Sequence, residues 1–278
     1  MKNLTEKSVQ INGTDIHYYR TGGGKPALVL LHGYTDDALC WQKVVGDLRN
    51  DYDVLIPDAR GHGNSGGIQS GFSVPLMAND TAKLIQLERM KEPIVFGHSM
   101  GAAVAAQLAA QNPDLIQAII LEDPPLMKTI DEMTQEEIEK SKHAAKEHLK
   151  EFSSMQNDPY DEVVKRISKQ YPDWDIDDVK WWIDAKLRFD FDNIPPGGAL
   201  RSFVWREVFA NIKCPVLLLF SDQDRGGLVT KEQADEIKNL FDLVEAIHIN
   251  NAGHCIHRDR YQDTIQVIFD FLERFKDY

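Results

Sequence analysis

Pro93-Ile94-Val95-Phe96-Gly97-His98-Ser99-Met100-Gly101-Ala102-Ala103-Val104-Ala105-Ala106 is the stretch on which the reading of this chain turns. Four apolar residues predict a buried strand, and the Ala-rich run predicts a tightly packed helix. Between them, Gly97-His98-Ser99-Met100-Gly101 fits a nucleophile elbow, a strand-to-helix turn that exposes a serine hydroxyl. A turn so sharp leaves no room beside the serine, which accounts for glycine two positions out on each side. The five-residue string alone is a modest signal, and the strand before it and helix after it give it weight.

The same strand-helix grammar extends outward. Short apolar runs suited to strands buried on both faces occur at Ala27–Leu31, Val54–Pro57, Ile94–Phe96, Ala118–Leu121, Val216–Phe220 and Ala246–Ile249. Helical patterns lie between them, so right-handed crossovers and a mostly parallel sheet are expected, with ligands at the carboxyl ends of its strands. Upstream, Ser8–Arg20 alternates apolar and polar residues around Asn12-Gly13 and predicts an antiparallel hairpin. Hairpin and runs together give eight strands.

The alternation stops after Pro124-Pro125. Residues 126–211 predict helices without a convincing strand, and they hold Trp174, Trp181, Trp182, Phe189, Phe191, Phe203 and Trp205. We read 1–125 and 212–278 as the α/β core and 126–211 as a helical cap, or lid. The acidic patch around Asp131–Glu139 reads as a solvated helix face.

With 278 residues the chain is long enough for one α/β domain with an insertion. A formal charge of −13 disfavours nucleic acid and anionic membranes and leaves small molecules as the expected partners, the chain being a monomer or homodimer. Cys40, Cys214 and Cys255 are odd in number, widely spaced and without metal-ligand spacing, which predicts reduced thiols. The first residues carry no apolar signal region and no run reaches about 18 apolar residues, so a cytoplasmic protein is expected.

A serine hydroxyl needs a base within hydrogen-bond reach, itself oriented by a third group. His254 follows the last strand run in Asn250-Asn251-Ala252-Gly253-His254, a loop beyond a strand end where a base belongs. Asp222 and Asp224 compete as acids in Ser221-Asp222-Gln223-Asp224, and Asp123 ends the strand Ile119-Ile120-Leu121-Glu122. His254 and His257 stand three apart with no third ligand, so no metal is expected.

At these residues the chain resembles α/β-hydrolase-fold enzymes over nearly its whole length, with the insertion where that family carries its cap, between strands 6 and 7. His32-Gly33-Tyr34 resembles the family's oxyanion-hole loop, Asp58-Ala59-Arg60-Gly61-His62-Gly63-Asn64-Ser65 its D-x-R-G-x-G-x-S turn, and Gly253-His254 the loop presenting the catalytic histidine. The resemblance implies a triad in the order Ser99, Asp224, His254, because Ser221-Asp222-Gln223-Asp224 aligns Asp224 with the family's acid in G-x-x-D. Asp222 and Asp123 remain the alternatives. It also implies backbone N–H donors at Tyr34 and Met100 for an oxyanion. His98, Trp181 and Trp205 are candidate substrate-binding residues. The implied activity is cofactor-free hydrolysis of carboxylic esters, lactones or thioesters of small to medium size. Its rivals are carbon–carbon bond hydrolysis of ring-cleavage diketones and a non-catalytic ligand receptor on the same fold.

Overall fold

The computed structural model describes residues 4–128, 132–194 and 199–276. Its strands are β1 Thr5–Ile11, β2 Thr14–Arg20, β3 Ala27–Leu31, β4 Asp53–Pro57, β5 Ile94–His98, β6 Ala118–Glu122, β7 Val216–Ser221 and β8 Val244–Ile249. They form one eight-stranded sheet in the order β1-β2-β4-β3-β5-β6-β7-β8. The β1-β2 and β2-β4 pairs are antiparallel, and every pair from β4 to β8 is parallel. The expected fold class is thus observed. The hairpin turns at Asn12 and Gly13, both left-handed at φ 47° and 78°, as a two-residue turn matched to strand twist requires.

The continuous apolar runs follow from two-sided burial. Along β5, Val95 faces one core while Ile94 and Phe96 face the other. Likewise Ile119 and Leu121 oppose Ala118 and Ile120 on β6, and Leu218 opposes Leu217 and Leu219 on β7. Helices α1 (Gln42–Leu48), α2 (Val74–Leu87) and α3 (Met100–Gln111) follow β3, β4 and β5. Residues of α2 and α3 fill the first core, whereas Val44, Val45 and Leu48 of α1 belong to the second.

Among the described residues, four α-helices intervene between β6 and β7: α4 Gln135–Ser154, α5 Tyr160–Gln170, α6 Ile176–Arg188 and α7 Trp205–Asn211. Helix α4 starts at a reciprocal capping box between Thr134 and Glu137. Asp131 of the acidic patch lies outside the described residues. Met155, Val163, Ile167, Trp174, Val179, Trp182 and Ile183 form a separate small core. Helix α7 behaves differently, since Trp205, Val208 and Phe209 join the main core with α2 and α3. The insertion's aromatics therefore serve two cores. Helices α8 (Lys231–Leu240), α9 (Ile256–Asp259) and α10 (Tyr261–Leu272) complete the chain, with α10 covering the second face.

Helix α6 is fastened to the α/β part by polar side chains. Lys186 pairs with Asp36, Arg188 Nε donates to Asp37 at 2.9 Å, and Lys43 reaches Asp178 at 3.2 Å. Just ahead of α6, the Trp174 indole donates to Asp259 at 2.6 Å. Asp36 and Asp37 follow Tyr34 in the loop after β3, so the insertion grips the very loop that starts beside the elbow.

Candidate active site

Ser99 stands between β5 and α3 at φ 53° and ψ −114°, a conformation that costs a non-glycine residue about 1–3 kcal/mol. The turn is held from both sides. The Ser99 N–H donates to the Glu122 carbonyl on β6 at 2.8 Å, and the Ser99 carbonyl accepts from Ala102 and Ala103 at 3.0 and 3.1 Å. A Cβ on Gly97 would lie 2.2 Å from the Gly101 carbonyl oxygen, and one on Gly101 would lie 2.1 Å from that of Leu31. Strand, elbow and helix therefore touch through bare backbone, and Ala102, Ala103, Ala105 and Ala106 are buried under the sheet for the same reason.

His254, in the loop after β8, accepts at Nε2 from the Ser99 hydroxyl over 2.9 Å. Its Nδ1–H donates to Asp123 Oδ2 over 2.7 Å. Those two partners fix the neutral tautomer with the lone pair on Nε2, the form that takes a proton from serine. Asp123, directly after β6, is wholly buried, yet its carboxylate also accepts the Leu228 N–H at 2.8 Å and the Val229 N–H at 3.0 Å. Three donors on one anion offset the desolvation its burial demands.

The carboxylate that reaches His254 is thus Asp123 and not Asp224, the acid expected from the resemblance. Asp224 is exposed in the single turn Gln223–Arg225, closed by left-handed Gly226 at φ 100°. The physical reason is the path beyond that turn: Leu228 and Val229 fold back over the end of β6 and give their N–H groups to Asp123. Asp222 is engaged elsewhere, accepting from the Asn251 N–H at 2.8 Å and pairing with His248 at 2.9 Å.

Gly33 and Tyr34 follow β3 beside the elbow. A Cβ on Gly33 would lie 2.9 Å from His98 Nδ1 and 3.5 Å from Ser99 Cβ, which places this loop against the nucleophile. Met100 is the first residue of α3, a position whose N–H has no acceptor within the helix. The Tyr34 ring meets Phe189 of the insertion at 5.4 Å and His62 at 5.9 Å, with Phe72 at 6.4 Å. An aromatic wall therefore adjoins the loop after β3. His62 is buried and holds the Arg60 carbonyl through Nδ1 at 3.0 Å, and burial pushes its pKa down to about 3.

The three candidate substrate contacts fare differently. His98 is buried, donates from Nε2 to the His254 carbonyl at 2.9 Å, and is driven by burial to a pKa of about 3. It is neutral throughout the working pH range. Trp181 is half-buried on α6, where its carbonyl faces the Cys40 thiol. Trp205 packs in the main core against Phe209, with Arg206 over its ring at 4.1 Å. Its burial there is that of a core residue.

Sequence reasoning missed two buried polar groups around this site. Glu122 accepts from the His257 N–H and Nδ1–H at 2.9 and 2.8 Å, and burial raises its pKa. Asp36 is shared by Lys186 and Arg258; burial alone would raise its pKa, but these two cations hold it well below the carboxylate range. One signal for Lys186 was available: on α6 it shares a face with buried Trp182 and Asp178, each four residues apart.

Comparison with known proteins bears on the fold. The family model of the alpha/beta hydrolase fold matches residues 26–261. The chain is 35% identical over 130 residues to the soluble epoxide hydrolase of Corynebacterium sp. (strain C12), a match covering 46% of this chain and 45% of that protein. It thus spans under half the length of that relative. It is 24% identical over 279 residues to N-formylmaleamate deformylase of Pseudomonas putida, covering 96% of each. Among solved structures, epoxide hydrolase VrEH1 from Vigna radiata superposes with a TM-score of 0.78 at 18% identity, covering 99% of both chains. Among the described residues, no helix is long and apolar enough to cross a membrane.

Proposed function

Since the chain belongs to the alpha/beta hydrolase fold family, we propose that it is a serine hydrolase acting on small to medium carboxylic esters, lactones or thioesters. The observation that carries this reading is the relay Ser99 Oγ, His254 Nε2, His254 Nδ1, Asp123 Oδ2, linked by 2.9 and 2.7 Å at the ends of β5, β6 and β8. In the first half-reaction His254 takes the Ser99 proton as Oγ attacks the acyl carbon. Asp123 keeps the imidazole in its Nδ1–H tautomer and stabilises the imidazolium that results. The N–H groups of Tyr34 and Met100 receive the oxyanion, at roughly 3–4 kcal/mol per donor in sites of this kind. The imidazolium then protonates the departing alkoxide or thiolate, and the acyl group stays on Ser99. In the second half-reaction His254 deprotonates a water that attacks the same carbon, and the acid leaves as Ser99 recovers its proton.

Serine at the elbow also separates this chemistry from epoxide opening. Attack of a hydroxyl on an epoxide would leave an alkyl ether on Ser99, with no acyl carbon for water to attack. A second reading comes from the full-length similarity to N-formylmaleamate deformylase: the same relay would release a formyl group from an N-formyl amide. The insertion, which meets the site through Phe189 and Lys186, is where we place acyl-group selection. The formal charge of −13 fits a small-molecule substrate better than an anionic polymer or membrane surface.

The test is a panel of nitrophenyl esters of increasing chain length, run with lactones, thioesters and an N-formyl amide against wild type and Ser99→Ala. Turnover of at least one class by the wild type, abolished by Ser99→Ala in a protein of unchanged fold, is the expected result. An unreduced rate in Ser99→Ala would sink the reading.

A further inference from the structure

His98 and Glu122 are the residues immediately before the nucleophile and immediately before Asp123. They are register partners on adjacent parallel strands, so their side chains lie next to each other on one face of the sheet. Both are buried. Each also spends its hydrogen bonds on the segment that carries His254. His98 Nε2–H donates to the His254 carbonyl at 2.9 Å, and Glu122 accepts from the His257 N–H at 2.9 Å and its Nδ1–H at 2.8 Å. The rings form a contiguous cluster: His98 lies tilted 4.8 Å from His254 and edge-on 5.4 Å from His257, and His257 stacks on Trp41 at 4.8 Å.

An apolar pair would fill the same volume without the desolvation cost of a buried imidazole and carboxyl. What the polar pair adds is direction. The main chain of 254–257 is held at its first residue by β5 and at its last by β6. One residue earlier β7 adds a third hold, where the Ser221 hydroxyl donates to the Gly253 carbonyl at 2.8 Å. The base must keep Nε2 on Ser99 and Nδ1 on Asp123 while its charge changes in each turnover, and a displacement of about 1 Å costs on the order of 10²-fold in rate.

We propose that His98 and Glu122 are positioning residues that clamp the His254–His257 segment from β5 and β6 and so set the His254 imidazole between Ser99 and Asp123. This rests on the reading of Ser99, His254 and Asp123 as the reacting group. Because the clamp acts through the backbone, the donor at position 98 matters more than the ring that bears it.

Three variants test it: His98→Leu removes the donor, His98→Gln returns an amide N–H near the Nε2 position, and Glu122→Leu removes the acceptor that holds His257. The readouts are kcat and KM for the best ester of the panel, the rate of labelling by a fluorophosphonate probe, and Tm. For His98→Leu, kcat and the labelling rate should fall together by about 10- to 100-fold with KM within about threefold. His98→Gln should recover most of that loss, and Glu122→Leu should lower kcat with the same KM signature. Equal kcat in His98→Leu and wild type, or equal losses in His98→Leu and His98→Gln, would overturn the clamp. Should either leucine variant fail to fold, the other decides, and wild-type kcat in that variant overturns the clamp while leaving the reading of Ser99 in place. A wild type that neither hydrolyses any ester nor takes the label would instead overturn the reading of Ser99.

Discussion

Asp123→Asn exchanges one carboxylate oxygen for an amide nitrogen at nearly constant volume, and the structure dictates where that nitrogen goes. Asp123 Oδ1 accepts the Val229 N–H at 3.0 Å and the Leu228 N–H at 3.1 Å, while Oδ2 accepts the Leu228 N–H at 2.8 Å and the His254 Nδ1–H at 2.7 Å. Whichever way the asparagine turns, its NH₂ meets at least one backbone or imidazole donor. The least costly arrangement keeps the amide oxygen on the backbone N–H groups and points the NH₂ at His254. The imidazole then moves its proton to Nε2, where it faces the Ser99 hydroxyl as a donor and no longer as a base. Loss of the correct tautomer in a serine triad lowers kcat by about 10⁴, equivalent to about 5 kcal/mol. KM should stay within a few-fold, since Asp123 is wholly buried and offers the substrate no surface. Stability should fall by about 1–3 kcal/mol for the disturbed backbone donor, visible as a lower Tm. Steady-state hydrolysis of the best panel ester measures the first two quantities. Asp224→Asn is the paired control; its side chain is exposed, and its kcat is expected within twofold of wild type. A fall of 100-fold or more in Asp224→Asn, with Asp123→Asn within tenfold of wild type, would refute the assignment of the acid.

Gly101→Ala should yield little folded protein, because the added Cβ would sit 2.1 Å from the Leu31 carbonyl oxygen with backbone on both sides; soluble yield and Tm measure it. Lys186→Met should destabilise by about 3–5 kcal/mol by leaving buried Asp36 with only Arg258, and the double variant Asp36→Asn/Lys186→Met should regain part of that loss in denaturant titrations. Burial works against ionisation of Glu88, yet hydrogen bonds from Tyr18, Arg20 and Lys7 bring its pKa from 4.5 down to about 2. A carboxyl depressed in the folded state stabilises above its unfolded pKa and loses that contribution as pH falls. With the solvent screening of this partly exposed cluster, about 1–2 kcal/mol should therefore disappear between about pH 4.5 and 2, and Glu88→Gln should flatten the stability curve over that window.

Most of the fold was legible because two-sided burial writes itself into sequence: strands between two helical layers must be apolar throughout, and each of the six runs is a strand. The elbow was legible because close backbone contact admits only glycine at 97 and 101. The acid was not. Asp123, Asp222 and Asp224 all stand within three residues of a strand end, and no periodicity tells which loop reaches a histidine two strands away. The choice depends on Leu228 and Val229 folding back onto β6, a tertiary contact with no local signature. Trp205 was read toward the site from aromatic enrichment, but α7 returns to the main core, where a tryptophan needs no ligand. Lys186 shows the converse. A lysine in a charged helix reads as solvated, and only its register with Asp178 and Trp182 hints that it is buried.

The central claim is that Ser99 is a nucleophile activated by His254 and Asp123. Intact mass and peptide mapping after brief exposure to a fluorophosphonate probe test it most directly. The account predicts one phosphonyl adduct per chain, on Ser99, absent in Ser99→Ala and formed far more slowly in Asp123→Asn and His254→Ala. An unmodified wild type, or an adduct on another residue that survives Ser99→Ala, would contradict it.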